Sequence, residues 1–292
     1  MKPNIDLNNP LVKGFLSFYK SKIERALDIP QNVEKSVLPI FGVLPSDKLV
    51  KSSAQQIGSG VLVNIKDQFF VFTASHVFDD TGQFQLLTSA EGRSEIFSLE
   101  GERFSTLKGA SGTHDDDPID ASVYHIQCAI PEALKSMALS LDDFDYSELN
   151  FSKSIYFAAG FRASKSKKFR GTINSEREAF PSIEIGEKDY ADYKLDPKMH
   201  IALAFEKQTV INNRWHLTPK LNGISGGAII RISGISLDKK EEIGEPKQLL
   251  TAIAIQHRPE TNKLLGIIVG TRVGVHFGLI NKYLPELLKD VF

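Results

Sequence analysis

The chain has 292 residues, of which 41% are hydrophobic and 24% charged, as is ordinary for a folded globular protein. Lys plus Arg number 35 against 36 Asp plus Glu, so no overall basic field draws the protein onto nucleic acid or a membrane. Cys128 is the only cysteine, which excludes an intrachain disulfide and favours a reducing, cytoplasmic compartment. The sequence has neither a secretory leader nor an apolar run of about 18 residues, so we expect a soluble protein.

The first periodic segment lies near the amino terminus. Between residues 10 and 27, Leu11, Phe15, Phe18 and Ile23 recur at helical spacing with lysines and glutamates between them. This pattern predicts one amphipathic helix that packs on the domain surface. We assign 1–30 to this helical segment and expect it to be a contact site for a regulatory partner.

From residue 33 onward the pattern changes to short apolar or alternating runs bounded by Gly, Asp, Asn and Ser. The predicted strands are 37–43, 60–65, 69–74, 83–87, 121–126, 154–159, 201–205, 228–232, 249–255 and 264–269. Many short strands separated by turn residues predict a sandwich or barrels. The polar stretch 131–150 divides the strands into two blocks, 31–145 and 146–277, and an apolar stripe predicts a C-terminal helix within 278–292.

A serine stands between glycines just before an apolar strand, in the segment Gly223-Ile224-Ser225-Gly226-Gly227. Glycine permits the positive-φ backbone and the close approach that a nucleophilic serine and its N–H groups need. A plain glycine-rich turn has the same composition. The motif alone therefore does not identify a nucleophile.

Two further residues stand at strand boundaries. His76 ends a T-A-S-H segment after the predicted strand 69–74, where its side chain can reach a cleft, although most such histidines are packing or surface residues. Asp120 opens the strand 121–126, where a carboxylate is unusual unless it caps, pairs or catalyses. Each is ambiguous in isolation.

Together, His76, Asp120 and Ser225 resemble the trypsin-like serine peptidases, with T-A-x-H, D-x-A and G-x-S-G-G motifs in the chymotrypsin order. The resemblance covers residues 33–292. It implies an all-β fold of two six-stranded Greek-key β-barrels of the chymotrypsin type with an N-terminal and a C-terminal helix. It also implies a serine endopeptidase that acts on a protein or peptide substrate.

The roles of the residues follow from the resemblance and from the physics of acyl transfer. His76 would be the general base for Ser225, and Asp120 would fix its tautomer. The backbone N–H groups of Gly223 and Ser225 would form the oxyanion hole. Because an unrestrained intracellular peptidase endangers its own cell, we expect gated activity toward a specific protein.

Departures from the family pattern are informative. Ile224 stands where secreted zymogens have Asp, which excludes activation through that salt bridge and makes the chain more similar to bacterial HtrA-type and related branches. Pro219 occupies the position of trypsin's acidic residue, so a preference for Arg or Lys is not supported. The candidate substrate-pocket residues are Pro219, Lys220, Asn222, Gln256 and His257.

We expect neither a cofactor nor a metal. The histidines lack the H-E-x-x-H spacing and cysteine partners of metal sites, and no phosphate-binding glycine loop is present. His114 and the three aspartates that follow it are interpreted as a solvated acidic loop.

Two alternative functions stay open. A chymotrypsin-fold protein with a latent or inactive site would be a peptide-binding module. The G-x-S-x-G segment also fits an α/β-hydrolase-type esterase, for which Asp238 with His257 or His276 would complete the order Ser, Asp, His. The strand-rich sequence before Ser225 disfavours this second alternative.

Overall fold

The protein is mostly β-structure with few helices. The computed structural model describes residues 5–43, 54–79, 85–90, 96–147, 154–169, 172–211, 214–238 and 244–289. Its strands in chain order are β1 (Val37–Val43), β2 (Ala54–Ile65), β3 (Gln68–Ala74), β4 (Gln85–Thr88), β5 (Phe97–Ser105), β6 (Ala121–Ile126), β7 (Ser154–Phe161), β8 (Lys167–Phe169), β9 (Thr172–Asn174), β10 (Arg177–Ser182), β11 (His200–Ala204), β12 (Gln208–Ile211), β13 (Arg214–Leu217), β14 (Ala228–Ser236), β15 (Lys247–Arg258) and β16 (Ile267–Arg272).

The strands form two large antiparallel sheets. The first is a closed barrel of order β1-β2-β3-β6-β5-β4. The second is a six-stranded sheet of order β10-β7-β14-β15-β16-β11, and the pairs β8-β9 and β12-β13 are separate hairpins. Val61, Val63 and Phe72 of the barrel share one hydrophobic cluster with Phe157 and Ile230 of the sheet, so the two pack against each other.

The helices are short apart from the first. They are α1 (Pro10–Leu27), α2 (Asn32–Lys35), α3 (Glu132–Lys135), α4 (Val273–Tyr283) and α5 (Pro285–Leu288). No helix in these ranges is long and apolar enough to cross a membrane. The C-terminal helix was predicted within 278–292, but α4 begins earlier, at Val273. It ends before Pro285, whose ring cannot continue a helix, and α5 follows.

Helix α1 has the predicted bounds but not the predicted packing. The Asn9 side chain accepts the N–H of Leu11 at 2.9 Å, which caps the amino end. Leu11 and Phe15 are 84% and 64% exposed, whereas Ala26 in the last turn is buried. The apolar stripe therefore faces away from the core along its first half, and a regulatory contact at this helix stays a prediction.

Candidate active site

A short turn after β3 presents His76. The 3-10 turn Ser75–Phe78 follows the buried end of the strand and places the imidazole beside Asp120. His76 Nδ1 lies 2.6 Å from Asp120 Oδ2, and the backbone N–H of His76 donates to Asp120 Oδ1 at 2.9 Å. One carboxylate thus fixes both the ring and the backbone of the histidine.

Asp120 lies at the start of β6 with a left-handed backbone, φ 50°, and is only 5% exposed. Such a conformation typically costs a non-glycine residue about 1 to 3 kcal/mol, although aspartate tolerates it better than most. The second sheet holds the preceding carbonyls: His200 Nε2 lies 2.7 Å from Pro118 O, and Thr271 Oγ1 donates to Ile119 O. Contacts from the other sheet therefore stabilise the strained position of the carboxylate.

The turn that precedes the serine is built around Gly223. Ile224 N–H donates to Leu221 O at 3.0 Å, and Gly223 has a left-handed φ of 93°. Asn222 O accepts the N–H of Ala163 at 2.9 Å. Because the peptide bond is trans, the N–H of Gly223 points away from that carbonyl.

Two backbone N–H groups of this loop, those of Gly223 and Ser225, have no hydrogen-bond partner within the described part of the chain. The N–H groups around them are bonded. Those of Ile224, Gly226 and Gly227 donate to backbone carbonyls at 3.0, 2.7 and 2.8 Å. Two donors are thus left for an oxygen atom outside the chain.

Glycine is also required directly after the serine. Gly226 has a φ of 83°, and a Cβ there would collide with Ser59 O and Thr73 Oγ1. The loop therefore lies in close contact with β2 and β3. Ser59 N–H donates to Ser225 O at 2.8 Å across this contact.

The Ser225 hydroxyl is not bonded to the imidazole. Ser225 Oγ donates to Ile255 O at 3.4 Å, and among the described residues it has no hydrogen bond to His76. In substrate-free active sites the catalytic hydrogen bonds are often long and tighten only in the complex.

A cleft of about 610 Å³ brings the three residues together. His76, Asp120, Gly223 and Ser225 all line it. Of the predicted pocket residues, it is lined by Asn222, Gln256 and His257. Pro219 and Lys220 are not among its described lining residues, and Lys220 O instead accepts a hydrogen bond from Arg162 at 3.3 Å.

The pKa of His76 is raised above its ordinary 6.5. Burial acts to lower this pKa, but the hydrogen bond to Asp120 and its charge, together with the charges of Asp115 and Asp79, outweigh burial. The pKa of the Asp120 carboxyl is raised by burial, which His76 opposes. The pair is thus arranged to stabilise a proton on the imidazole.

The interpretation of His114 as part of a solvated cluster is wrong. His114 is 2% exposed, and its Nδ1 lies 2.7 Å from Asp79 Oδ1. Sequence inspection could not find this pair, because its members are 35 residues apart and neither belongs to a motif. Within the described ranges, no group of three or more His, Cys, Asp or Glu side chains is arranged to hold a metal ion.

Comparison with known proteins does not assign the chain to a family. A scan against protein-family models finds no match to the chain, and a search of curated proteins finds no similar sequence. The function must therefore be inferred from the residues of the cleft.

Proposed function

We propose that the protein is a serine endopeptidase that hydrolyses peptide bonds through an acyl-enzyme on Ser225. The observation that carries this proposal is the pair of unpartnered N–H groups of Gly223 and Ser225, in the same cleft as the His76–Asp120 pair. Two unpartnered amide donors on the loop that carries a serine hydroxyl are what an oxyanion hole for acyl transfer requires.

A chymotrypsin-type fold of two barrels belongs to the same proposal. The first sheet is closed. In the second sheet, the segment after β10 hydrogen-bonds to β11, since Ala204 N–H donates to Ile183 O and Ile185 N–H donates to Ala202 O, both at 2.9 Å. These bonds join the two edge strands, which supports a second barrel. Peptidases of this type place His and Asp on one barrel and Ser on the other.

The chemistry begins when Ser225 Oγ turns from Ile255 O toward His76 Nε2. Oγ attacks the substrate carbonyl carbon as its proton passes to His76, and the carbonyl oxygen becomes an oxyanion held by the two N–H groups. The C–N bond then breaks, and His76 gives the proton to the leaving amine. Water attacks the acyl-Ser225 ester as His76 accepts its proton. The C–Oγ bond then breaks and His76 gives the proton to Oγ, which releases the carboxyl product and restores the Ser225 hydroxyl.

An extended peptide can bind along β15. This strand pairs with β14 up to Ile253 and with β16 up to Arg258, so beyond Ala254 one of its edges carries no strand within the described chain. Gln256 and His257 belong to this part of β15 and line the cleft. An added strand there would place main-chain carbonyls beside Ser225, which suits a peptide better than a small ester.

Both alternatives are less well supported. A latent site would have a collapsed oxyanion turn, whereas Gly223 has the left-handed φ of 93° that directs its N–H away from Ala163. An α/β-hydrolase needs a mostly parallel sheet, but the paired strands of both large sheets are antiparallel. His276 is fully buried against Phe72 and bonds Thr73 O, so it does not reach the cleft.

The proposal is tested by incubating the wild type and Ser225→Ala with a mixed peptide library and an unfolded protein, and then identifying new termini by mass spectrometry. We expect internal cleavage by the wild type and none by Ser225→Ala. Peptide binding without cleavage by the wild type would contradict the peptidase and favour the binding module. Cleavage that persists in Ser225→Ala would contradict the assignment of the nucleophile.

A further inference from the structure

A second histidine–aspartate pair lies beside the first and has the same geometry. The backbone N–H of His114 donates to Asp79 Oδ2 at 2.7 Å, and His114 Nδ1 lies 2.7 Å from Asp79 Oδ1. In the first pair, the backbone N–H and Nδ1 of His76 contact the two oxygens of Asp120 in the same way. Each carboxylate therefore fixes one histidine by both its backbone and its ring.

The two pairs join the same two segments in opposite directions. Residues 76–79 supply His76 and Asp79, and residues 114–120 supply His114 and Asp120. Asp79 N–H also donates to His76 O at 3.1 Å, which closes the turn that carries the imidazole. The turn is thus bonded to the Asp120 segment at both of its ends.

His114 also connects Asp79 to the backbone next to Asp120. His114 Nε2 lies 3.2 Å from Thr106 O. Thr106 N–H donates to Ala121 O at 2.9 Å, and Ala121 N–H donates to Thr106 Oγ1 at 3.1 Å. A continuous series of hydrogen bonds therefore runs from the His76 turn to the residue that follows Asp120.

We propose that Asp79 and His114 are positioning residues, which hold the His76 turn and the Asp120 segment in the register that the His76–Asp120 contact needs. This inference rests on the proposed peptidase function for its catalytic meaning. Burial supports it, because His114 is 2% exposed and both of its ring nitrogens face oxygen atoms of the protein. A pair that served only solubility would lie in solvent.

The experiment compares Asp79→Asn and His114→Asn with the control Asp115→Asn. Asp79 and Asp115 both raise the pKa of His76 through their charge, so Asp115→Asn measures the effect of charge alone. Asp115 makes no side-chain hydrogen bond among the described residues. His114→Asn removes no negative charge, and the loss of a positive charge there would raise the pKa of His76, so a shift of the His76 titration to lower pH must come from positioning.

Two readouts are used on folded variants. The first is the rate of labelling by a fluorophosphonate, in which Ser225 Oγ displaces fluoride. We expect this rate to fall about 10- to 100-fold in Asp79→Asn and His114→Asn, and less than about twofold in Asp115→Asn. The second is the titration of His76 by proton–nitrogen correlation NMR, assigned with His76→Gln, which we expect to move to lower pH in both test variants.

The outcomes separate the inference from the proposed function. A wild type that does not label, with a His76 titration that still moves in Asp79→Asn and His114→Asn, would end the peptidase proposal and retain the positioning role. Labelling rates and His76 titrations that match those of Asp115→Asn in both test variants would overturn the positioning role. If Asp79→Asn does not fold, His114→Asn decides alone.

Discussion

One carboxylate contributes most to raising the pKa of His76. Asp120 contacts the ring nitrogen at 2.6 Å, and it is the main influence that raises the histidine pKa against the effect of burial. In the proposed mechanism His76 must be neutral to act as the general base, so we expect activity to fall as His76 takes up a proton at acid pH. The acylation rate should accordingly increase with pH as His76 loses its proton.

We predict that the pH at which this increase occurs lies above 6.5 in the wild type and moves lower in Asp120→Asn, because the variant loses both the hydrogen bond and the charge. The plateau rate should fall about 10⁴-fold, since an asparagine favours the wrong tautomer. The measurement is the fluorophosphonate labelling rate between pH 5 and 9. An unchanged profile in the variant would contradict the role of Asp120.

The turn before Ser225 depends on the absence of a side chain at Gly223. In Gly223→Ala the new Cβ would lie 2.7 Å from Ala163 N, and φ 93° strains any L-residue. The turn should therefore shift and remove one oxyanion donor, which lowers the labelling rate about 10²- to 10³-fold. Gly274→Ala in α4 is the matched control, because a Cβ there meets nothing within 4 Å, and its rate should equal the wild-type rate.

Among the elements, strand β16 reaches across to the other sheet. Thr271 Oγ1 donates to Ile119 O, the carbonyl just before Asp120. We predict that Thr271→Val lowers the free energy of unfolding by about 1 kcal/mol. It should also lower the labelling rate several-fold, because the left-handed backbone of Asp120 loses a support.

The control for this variant is Thr251→Val on β15. Thr251 is also buried, and its hydroxyl donates to Asp145 at 3.0 Å, away from the cleft. Denaturant unfolding should show a similar loss of stability while the labelling rate stays at the wild-type value. Equal labelling rates in the two variants would show that the contact stabilises the fold only.

The elements differ in how far their sequences reveal them. Strands β3, β6 and β7 were predictable because they are almost continuously buried, and α1 was predictable because its apolar residues recur at helical spacing. Strand β5 was missed because its sequence, FSLEGERFS, has charged residues and is buried at only two positions. Strand β10 was missed because it is a half-exposed edge strand.

The residues of the site also differ in how far the sequence reveals them. Three short motifs singled out His76, Asp120 and Ser225, and the glycines marked the serine turn because such a turn needs a positive φ. That these residues are catalytic stays a prediction. The pair Asp79–His114 and the contact of Thr271 with Ile119 O depend on how distant segments meet, which local patterns do not encode. The exposure of Leu11 and Phe15 was equally unpredictable, because periodicity shows that a helix has an apolar face but not what that face contacts.

Contacts between the two sheets hold the serine loop in place. Ser59 of β2 is fully buried, and its hydroxyl donates to Gly223 O and accepts the N–H of Phe161, both at 2.9 Å. The first sheet therefore supports the turn of the second sheet that carries Gly223 and Ser225. This contact makes the geometry of the site depend on the packing of the two sheets.

We predict that Ser59→Ala lowers the free energy of unfolding by about 1 to 3 kcal/mol, because it leaves a buried donor and a partly buried acceptor unsatisfied. Denaturant unfolding should remain one transition, since both sheets share one hydrophobic cluster. The control is Ser233→Ala, whose hydroxyl makes one exposed bond at 3.2 Å and whose loss should change stability by less than about 0.5 kcal/mol. If Ser59→Ala lowers the free energy of unfolding no more than Ser233→Ala does, the Ser59 hydroxyl does not hold the two sheets together.

The role of Ser225 as nucleophile is tested by covalent labelling with a fluorophosphonate, followed by intact mass and peptide mapping. We expect one added phosphonyl group per wild-type chain, located on Ser225. We also expect no labelling of Ser225→Ala and much slower labelling of His76→Ala. A folded wild type that takes up no label, or takes it up on a residue other than Ser225, would show that Ser225 is not the nucleophile.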